Sequence, residues 1–239
     1  MKYNAYPCDM HFLYIRKEFG AYDSVILGGS GMDYTLYVCT DRRLMSSPTI
    51  EESVEQAVIG GAGVIQLRDK EASARQMYET ALSLKRITDY YHVPLIINDR
   101  VDIAAAVDAA GVHLGQSDMP LTAARRILGK DKIIGVSAAR VEEAVLAEQE
   151  GADYLGVGAM FVTGTKTNTR PVSLELLTKI CASVKIPVVA IGGIKEENAA
   201  QLVPTGIDGF AVVSAVIAQP DVAEAARRMR KIYENGIIR

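Results

Sequence analysis

The stretch GVIQLRDKEASARQMYETALSLKRITDYYHVPLIIND, Gly63 to Asp99, decides the fold. It opens on a short apolar run, Val64–Leu67, and closes on a second, Leu95–Asn98. Between them, apolar residues recur three and four positions apart (Met77, Ala81, Leu84, Ile87), which predicts a helix over Ser73–Tyr90. Runs this apolar are strands buried on both faces. Strand, helix, strand is the repeating unit of a parallel sheet covered by helices.

The same rhythm runs from Asp33 to the C-terminal region. It predicts strands at Thr35–Cys39, Val64–Leu67, Leu95–Asn98, Gly111–Gly115, Lys132–Ser137, Tyr154–Val157, Val188–Ile191 and Gly209–Ser214. Helices are predicted at Thr49–Ile59, Ser73–Tyr90, Leu121–Leu128, Val141–Gln149, Ser173–Ser183 and Asp221–Tyr233. Eight β/α units in roughly 200 residues suggest a single-domain α/β protein, a closed (β/α)8 TIM barrel. An open doubly wound sheet would carry a glycine fingerprint after its first strand. Here that strand runs into Thr40-Asp41-Arg42-Arg43 instead. The barrel is expected over 34–236, preceded by an arm, 1–33, that ends near the linker-like Gly28-Gly29-Ser30-Gly31. The arm either packs on the outside of the barrel or is dispensable, with Met32 starting the working domain.

Of the 239 residues 49% are hydrophobic, enough for one large core. A net charge of -3 gives no global field for nucleic acid or an anionic membrane, so any anion site must be local. No run approaches the ~18–20 apolar residues that span a bilayer, and the N-terminus lacks the apolar core of a secretory signal. Cys8, Cys39 and Cys181 are odd in number and widely spaced, which suits thiols in a reducing cytoplasm rather than a disulfide framework. The sequence leaves room for a homo-oligomer.

In such a barrel the active site is built from loops at the C-terminal strand ends. After strand two, Gln66, Arg68 and Lys70 share one face in extended chain, while Leu67 points the other way. An amide, a guanidinium and an ammonium in one row suit an anion with many oxygens. Asn98-Asp99 and Gln116-Ser117-Asp118 follow strands three and four. Both acids sit where a helix begins, which suits capping; as a pair from neighbouring loops they also suit a shared Mg²⁺ completed by water and phosphate oxygens. Pro120 fits a first helical position. Ser137 ends strand five, to cap a helix or bond a ligand. Gly192-Gly193 after strand seven and Val213-Ser214 after strand eight fit a second anion site, for a monophosphate. His113, inside strand four, reads as a structural, hydrogen-bonded histidine. No nucleophile elbow is present.

Six segments in this order resemble thiamine phosphate synthases: Gln66-Leu67-Arg68-Asp69-Lys70, Ile97-Asn98-Asp99-Arg100, Gly111-Val112-His113-Leu114-Gly115-Gln116, Thr163-Gly164-Thr165-Lys166, Ala190-Ile191-Gly192-Gly193-Ile194 and Val212-Val213-Ser214-Ala215. The resemblance spans about residues 34 to 230. It implies a (β/α)8 barrel that joins hydroxymethylpyrimidine diphosphate to hydroxyethylthiazole phosphate, giving thiamine phosphate and pyrophosphate by a dissociative route. It implies that Gln66, Arg68, Lys70 and Asn98 bind the pyrimidine diphosphate and that Asp99 and Asp118 hold Mg²⁺. Ser137, Thr163, Thr165 and Lys166 would meet the departing pyrophosphate or the thiazole phosphate. Gly193, Val213 and Ser214 would form the thiazole-phosphate pocket. Arg68, Lys70 and Lys166 would carry catalysis. The family often has proline before the first threonine of the strand-six loop; here it is Val162.

The loop AMFVTGTKTNTRP, Ala159–Pro171, follows strand six, and its length suits a lid. The alternatives are a thiazole tautomerase-like relative, which resembles the synthases without the full diphosphate and magnesium set, and a barrel that binds thiamine precursors without turnover. A metal-free sugar-phosphate isomerase would leave the cationic row unexplained.

Overall fold

A computed structural model describes residues 32–161 and 171–237. Eight parallel strands close into a barrel in chain order: β1 (Leu36–Cys39), β2 (Val64–Leu67), β3 (Leu95–Asn98), β4 (Gly111–Leu114), β5 (Ile133–Ala138), β6 (Tyr154–Val157), β7 (Val188–Ile191) and β8 (Gly209–Val212). β1 pairs with β2 on one side and with β8 on the other, so no strand edge is left open. This is the predicted (β/α)8 barrel. Among the described residues no helix is long and apolar enough to cross a membrane.

The helices are α1 (Ile50–Ile59), α2 (Ala74–Tyr90), α3 (Val101–Ala106), α4 (Leu121–Leu128), α5 (Val141–Gln149), α6 (Leu174–Ser183), α7 (Glu196–Ala199), α8 (Ser214–Ile217) and α9 (Val222–Ile237). A 3₁₀ segment, Ala200–Thr205, follows α7. Thr49, Ser73 and Ser173 are the N-caps of α1, α2 and α6, each side chain accepting a backbone N–H of the first turn. Each cap contributes about 1 kcal/mol. At α2 the cap is reciprocal, because Gln76 Oε1 accepts from Ser73 N at 2.9 Å.

Strand alternation splits the core in two. Outward residues such as Val38, Ile65, Leu67, Ile97, Val112, Leu155 and Phe210 meet the helices. Inward residues, Tyr34, Tyr37, Cys39, Val64, Ile96, Tyr154, Val189 and Ala211, fill the barrel itself. The apolar runs are continuous because both faces are buried.

Several elements and boundaries differ from the sequence expectation. Helix α3, VDIAAA, was not anticipated; six residues are too short to display a period. Pro120 stands at the N-cap of α4, one position before the first helical residue. β8 ends at Val212, and Ser214 begins α8 rather than ending the strand. Helix α9 continues past Tyr233 to Ile237, through Asn235-Gly236. A Cβ on Gly236 would come within 2.9 Å of three Val203 side-chain carbons, so this glycine permits helix packing instead of stopping the helix.

Candidate active site

The C-terminal strand ends open on a cavity of about 530 Å³. Gln66, Arg68, Lys70, Asn98, Asp99, Asp118, Ser137, Gly193, Val213 and Ser214 all line it. Thr163, Thr165 and Lys166 lie outside the described residues, as does Val162.

The cationic row is graded in exposure. Gln66, inside the barrel, is 4% exposed. The side chains of Arg68 and Lys70 are 17% and 57% exposed. The row therefore climbs from the barrel interior to the rim. Arg68 is anchored by the turn after β1. Its N–H donates to Thr40 Oγ1 at 2.9 Å, the Thr40 hydroxyl donates to Arg68 O at 3.2 Å, and Asp41 Oδ2 lies 3.5 Å from its guanidinium. Asp41 is itself buried and accepts from Arg43 N at 3.1 Å. In the sequence this turn, Thr40-Asp41-Arg42-Arg43, stands out only for its lack of glycine. A buried acid behind a site arginine was its legible signal.

The two acids do not cap helices. Arg100 is the N-cap of α3, with no side-chain cap bond. Asp99 precedes it in the left-handed region, φ 63, where a non-glycine residue is uncommon. Its N–H donates to His113 O at 2.9 Å, and its carboxylate meets Asp118. Burial, then the Asp118 carboxylate, push Asp99 up to about 6, against the opposing pull of Lys70 and Arg68. Asp118 Oδ2 accepts from Gly115 N at 2.7 Å, which fastens the turn after β4 without capping α4. Lys70 Nζ lies 3.8 Å from Asp99 Oδ2.

Ser137 is not a cap either, since α5 has Arg140 at its N-cap. Its hydroxyl lies 3.0 Å from His113 Nε2. His113 Nδ1 lies 3.0 Å from the Tyr154 hydroxyl, so His113 is the hydrogen-bonded residue expected, and it also lines the cavity. Gln116 Nε2 donates to Ser137 O at 2.6 Å. Tyr37 and Tyr154, which the sequence reading did not select, line the cavity floor.

On the far side, Gly192 and Gly193 have φ 101 and 66. At Gly192 a Cβ would stand 2.6 Å from the Ala159 Cβ, so the turn after β7 closes directly against the segment after β6. Gln219 Nε2 donates to Ser214 O at 3.0 Å, bracing the turn after β8. The cavity thus has two polar flanks, a cationic and acidic one at β2–β4 and a backbone-rich one at β7–β8.

Residues 36–216 match the family described as thiamine monophosphate synthase. The thiamine-phosphate synthase of Ruminiclostridium cellulolyticum is 57% identical over 206 residues, 86% of this chain and 98% of that protein. The thiamine-phosphate synthase of Clostridium beijerinckii is 54% identical over 202 residues, covering 84% of this chain and 97% of that one. Among solved structures, thiamine phosphate pyrophosphorylase from Pyrococcus furiosus superposes with a TM-score of 0.80 at 48% identity, over 86% of this chain and 98% of that one. The barrel, the order of its strand-end motifs and these relatives agree: the chain belongs to the thiamine monophosphate synthase family of transferases.

Proposed function

We propose that this enzyme joins hydroxymethylpyrimidine diphosphate to hydroxyethylthiazole phosphate, releasing pyrophosphate and giving thiamine phosphate. The observation that carries the reading is the convergence of Arg68 and Lys70 with Asp99 and Asp118 at one cavity mouth. Cations alone would suit any phosphate. Cations beside two abutting carboxylates suit a diphosphate that brings a divalent ion with it.

The donor set fits Mg²⁺. It is all oxygen, and the Asp118 carboxylate raises the cost of ionising Asp99 unless a cation lies between them. Among the described residues no three His, Cys, Asp or Glu side chains converge, so the remaining positions fall to water and diphosphate oxygens. When bound, Mg²⁺ neutralises part of the negative charge on the diphosphate.

In the dissociative route the bond from the pyrimidine methylene carbon to the diphosphate oxygen breaks first, and its electron pair leaves with pyrophosphate. The thiazole nitrogen then donates its lone pair to the methylene cation, forming the new C–N bond. No protein nucleophile is required. Arg68 and Lys70 hold the leaving group and stabilise charge as it develops. Gln66 and Asn98 orient the pyrimidine, and Lys166, Thr163 and Thr165 contribute from the loop after β6. Gly193, Val213 and Ser214 receive the thiazole phosphate. Ser137 and His113 stand at the distance of a nucleophile and its base. The group on His113 Nδ1 is a phenol rather than a carboxylate, however, and a phenol does little to stabilise an imidazolium.

The test is incubation of purified protein with both substrates and Mg²⁺, with and without EDTA. Thiamine phosphate is expected only without chelator. No product in Mg²⁺ defeats the reading, and product unaffected by EDTA defeats the metal role. The tautomerase-like alternative predicts no thiamine phosphate from this pair.

A further inference from the structure

Beneath the cavity a single hydrogen-bonded chain crosses the barrel. Gln66 Nε2 donates to the Tyr37 hydroxyl at 2.9 Å, and the Tyr37 and Tyr154 hydroxyls lie 2.7 Å apart. Tyr154 continues to His113 Nδ1 at 3.0 Å, and His113 Nε2 to Ser137 Oγ at 3.0 Å. Five side chains from β2, β1, β6, β4 and β5 are thereby linked end to end. Its middle is buried: Tyr37 and Tyr154 are 1% and 0% exposed.

The barrel is built around this chain. A Cβ at Gly135, on β5, would stand 2.0 Å from Tyr154 Cζ, well inside contact distance. One at Gly156, on β6, would stand 2.9 Å from His113 Cε1. Glycine inside a strand weakens it, and here two strands accept that cost to make room for the phenol and the imidazole.

Each phenol has one proton to give. With Gln66 donating to Tyr37, the arrangement that leaves neither buried phenol proton unpaired has Tyr37 give its proton to Tyr154. Tyr154 then gives its own to His113 Nδ1. In that arrangement a neutral His113 carries its proton on Nε2 and gives it to Ser137 Oγ. The hydroxyl proton of Ser137 is left for the cavity. At the other end Gln66 Oε1 accepts from no described residue, so it faces the cavity as an acceptor. Burial holds both phenols neutral, as this relay requires.

We propose that Tyr154 is a positioning residue that fixes the polarity of the site, turning Gln66 toward the ligand as a hydrogen-bond acceptor and Ser137 as a donor. The inference rests on the proposed function, in which Gln66 orients the pyrimidine; an acceptor at Gln66 would favour an amino group on that ring. Tyr154 touches no reacting atom; it acts through Tyr37 on one side and His113 on the other.

The test compares wild type with Tyr154→Phe, Tyr37→Phe and the double variant. Each is assayed with the aminopyrimidine diphosphate and with its analogue carrying an oxo group in place of the amine. kcat/KM is measured, or Kd where turnover is undetectable, alongside thermal melting. Each single variant should lose about tenfold or more with the amino substrate and narrow the amino-to-oxo preference by a similar factor. The double variant should be no worse than Tyr154→Phe alone, because one cut already breaks the relay. Equal losses on both pyrimidines would make the tyrosine merely structural and overturn the proposal. If Tyr154→Phe does not fold, Tyr37→Phe alone decides by the same ratio. Wild type that makes no thiamine phosphate defeats the functional reading itself; active wild type with unchanged preference in the variants defeats only the positioning role.

Discussion

Lys70 Nζ, from the loop after β2, lies 3.8 Å from Asp99 Oδ2, from the loop after β3. The contact is too long for a strong hydrogen bond, and Lys70 is more than half exposed, so its worth as a salt bridge is small. Its interest lies in the gap. An ammonium and a carboxylate held near each other without locking together leave both able to serve a ligand that carries phosphate oxygens and a divalent ion.

Asp118→Asn tests the acidic pair. The amide oxygen can still accept from Gly115 N, so the turn after β4 should survive. We expect a thermal melt within a few degrees of wild type and turnover lower by roughly 100-fold. Calorimetric titration of Mg²⁺ in the presence of pyrophosphate should show weakened binding. Unchanged Mg²⁺ affinity would remove Asp118 from the metal site.

Asp41→Asn tests the anchor of Arg68. The substitution keeps shape and can keep the bond from Arg43 N, but removes the charge facing the guanidinium. Loss of a charge-assisted contact of about 1.5–2 kcal/mol predicts a KM for the pyrimidine diphosphate higher by roughly tenfold or more. Steady-state kinetics with the thiazole phosphate saturating would read this directly. A fall in kcat at constant KM would point to another role.

Lys166→Ala should lower turnover far more than stability, if the loop after β6 serves the departing pyrophosphate. Parallel losses of melting temperature and activity would mark a structural lysine. If the loop closes as a lid, limited proteolysis within Ala159–Pro171 should slow when substrate and Mg²⁺ are present.

Gly135→Ala and Gly156→Ala should rank by the room each has. At Gly135 the new methyl would stand 2.0 Å from Tyr154 Cζ, whereas at Gly156 it would stand 2.9 Å from His113 Cε1, so His113 has less far to shift. Overpacking costs about 1–3 kcal/mol, with Gly135→Ala at or beyond the upper end. Thermal melts should place Gly135→Ala several degrees below Gly156→Ala; the reverse order would contradict the packing described.

Stability should fall at alkaline pH. Burial holds the Tyr37 and Tyr154 phenols well above their ordinary value of 10.0. In the unfolded chain both ionise near that value. Above it the unfolded state has lost protons that the folded state keeps, so the unfolded state gains. Their contribution is complete below pH 10 and declines as pH rises through 10 toward the folded values. Tyr37→Phe should flatten this decline in denaturant titrations between pH 9 and 11, and an unaltered slope would count against it.

Much of the site was legible because strand alternation and loop position are local rules. Gln66 inward, Leu67 outward and Arg68 at the mouth follow from period two alone. The capping readings of Asp99 and Ser137 failed for one reason. A short polar residue before a helix is a generic cap, and only its neighbours reveal another partner. For Asp99 that partner is Asp118, and for Ser137 it is His113. Tyr37 and Tyr154 were passed over because aromatic residues in apolar strands ordinarily just fill space.

The sequence by itself determined the (β/α)8 barrel, the family and the set of residues gathered at the strand ends, since each depends on patterns within a few positions of the chain. Tertiary structure alone decided which side chains speak to one another. The Tyr37 and Tyr154 hydroxyls are 117 residues apart in the chain and 2.7 Å apart in the barrel. Closure brings β1 and β6 across a buried interior where an unpaired hydroxyl is costly, so these two hydroxyls take each other as partners. No local period encodes that pairing; the glycines at 135 and 156, which leave the space for it, are its only trace in the sequence.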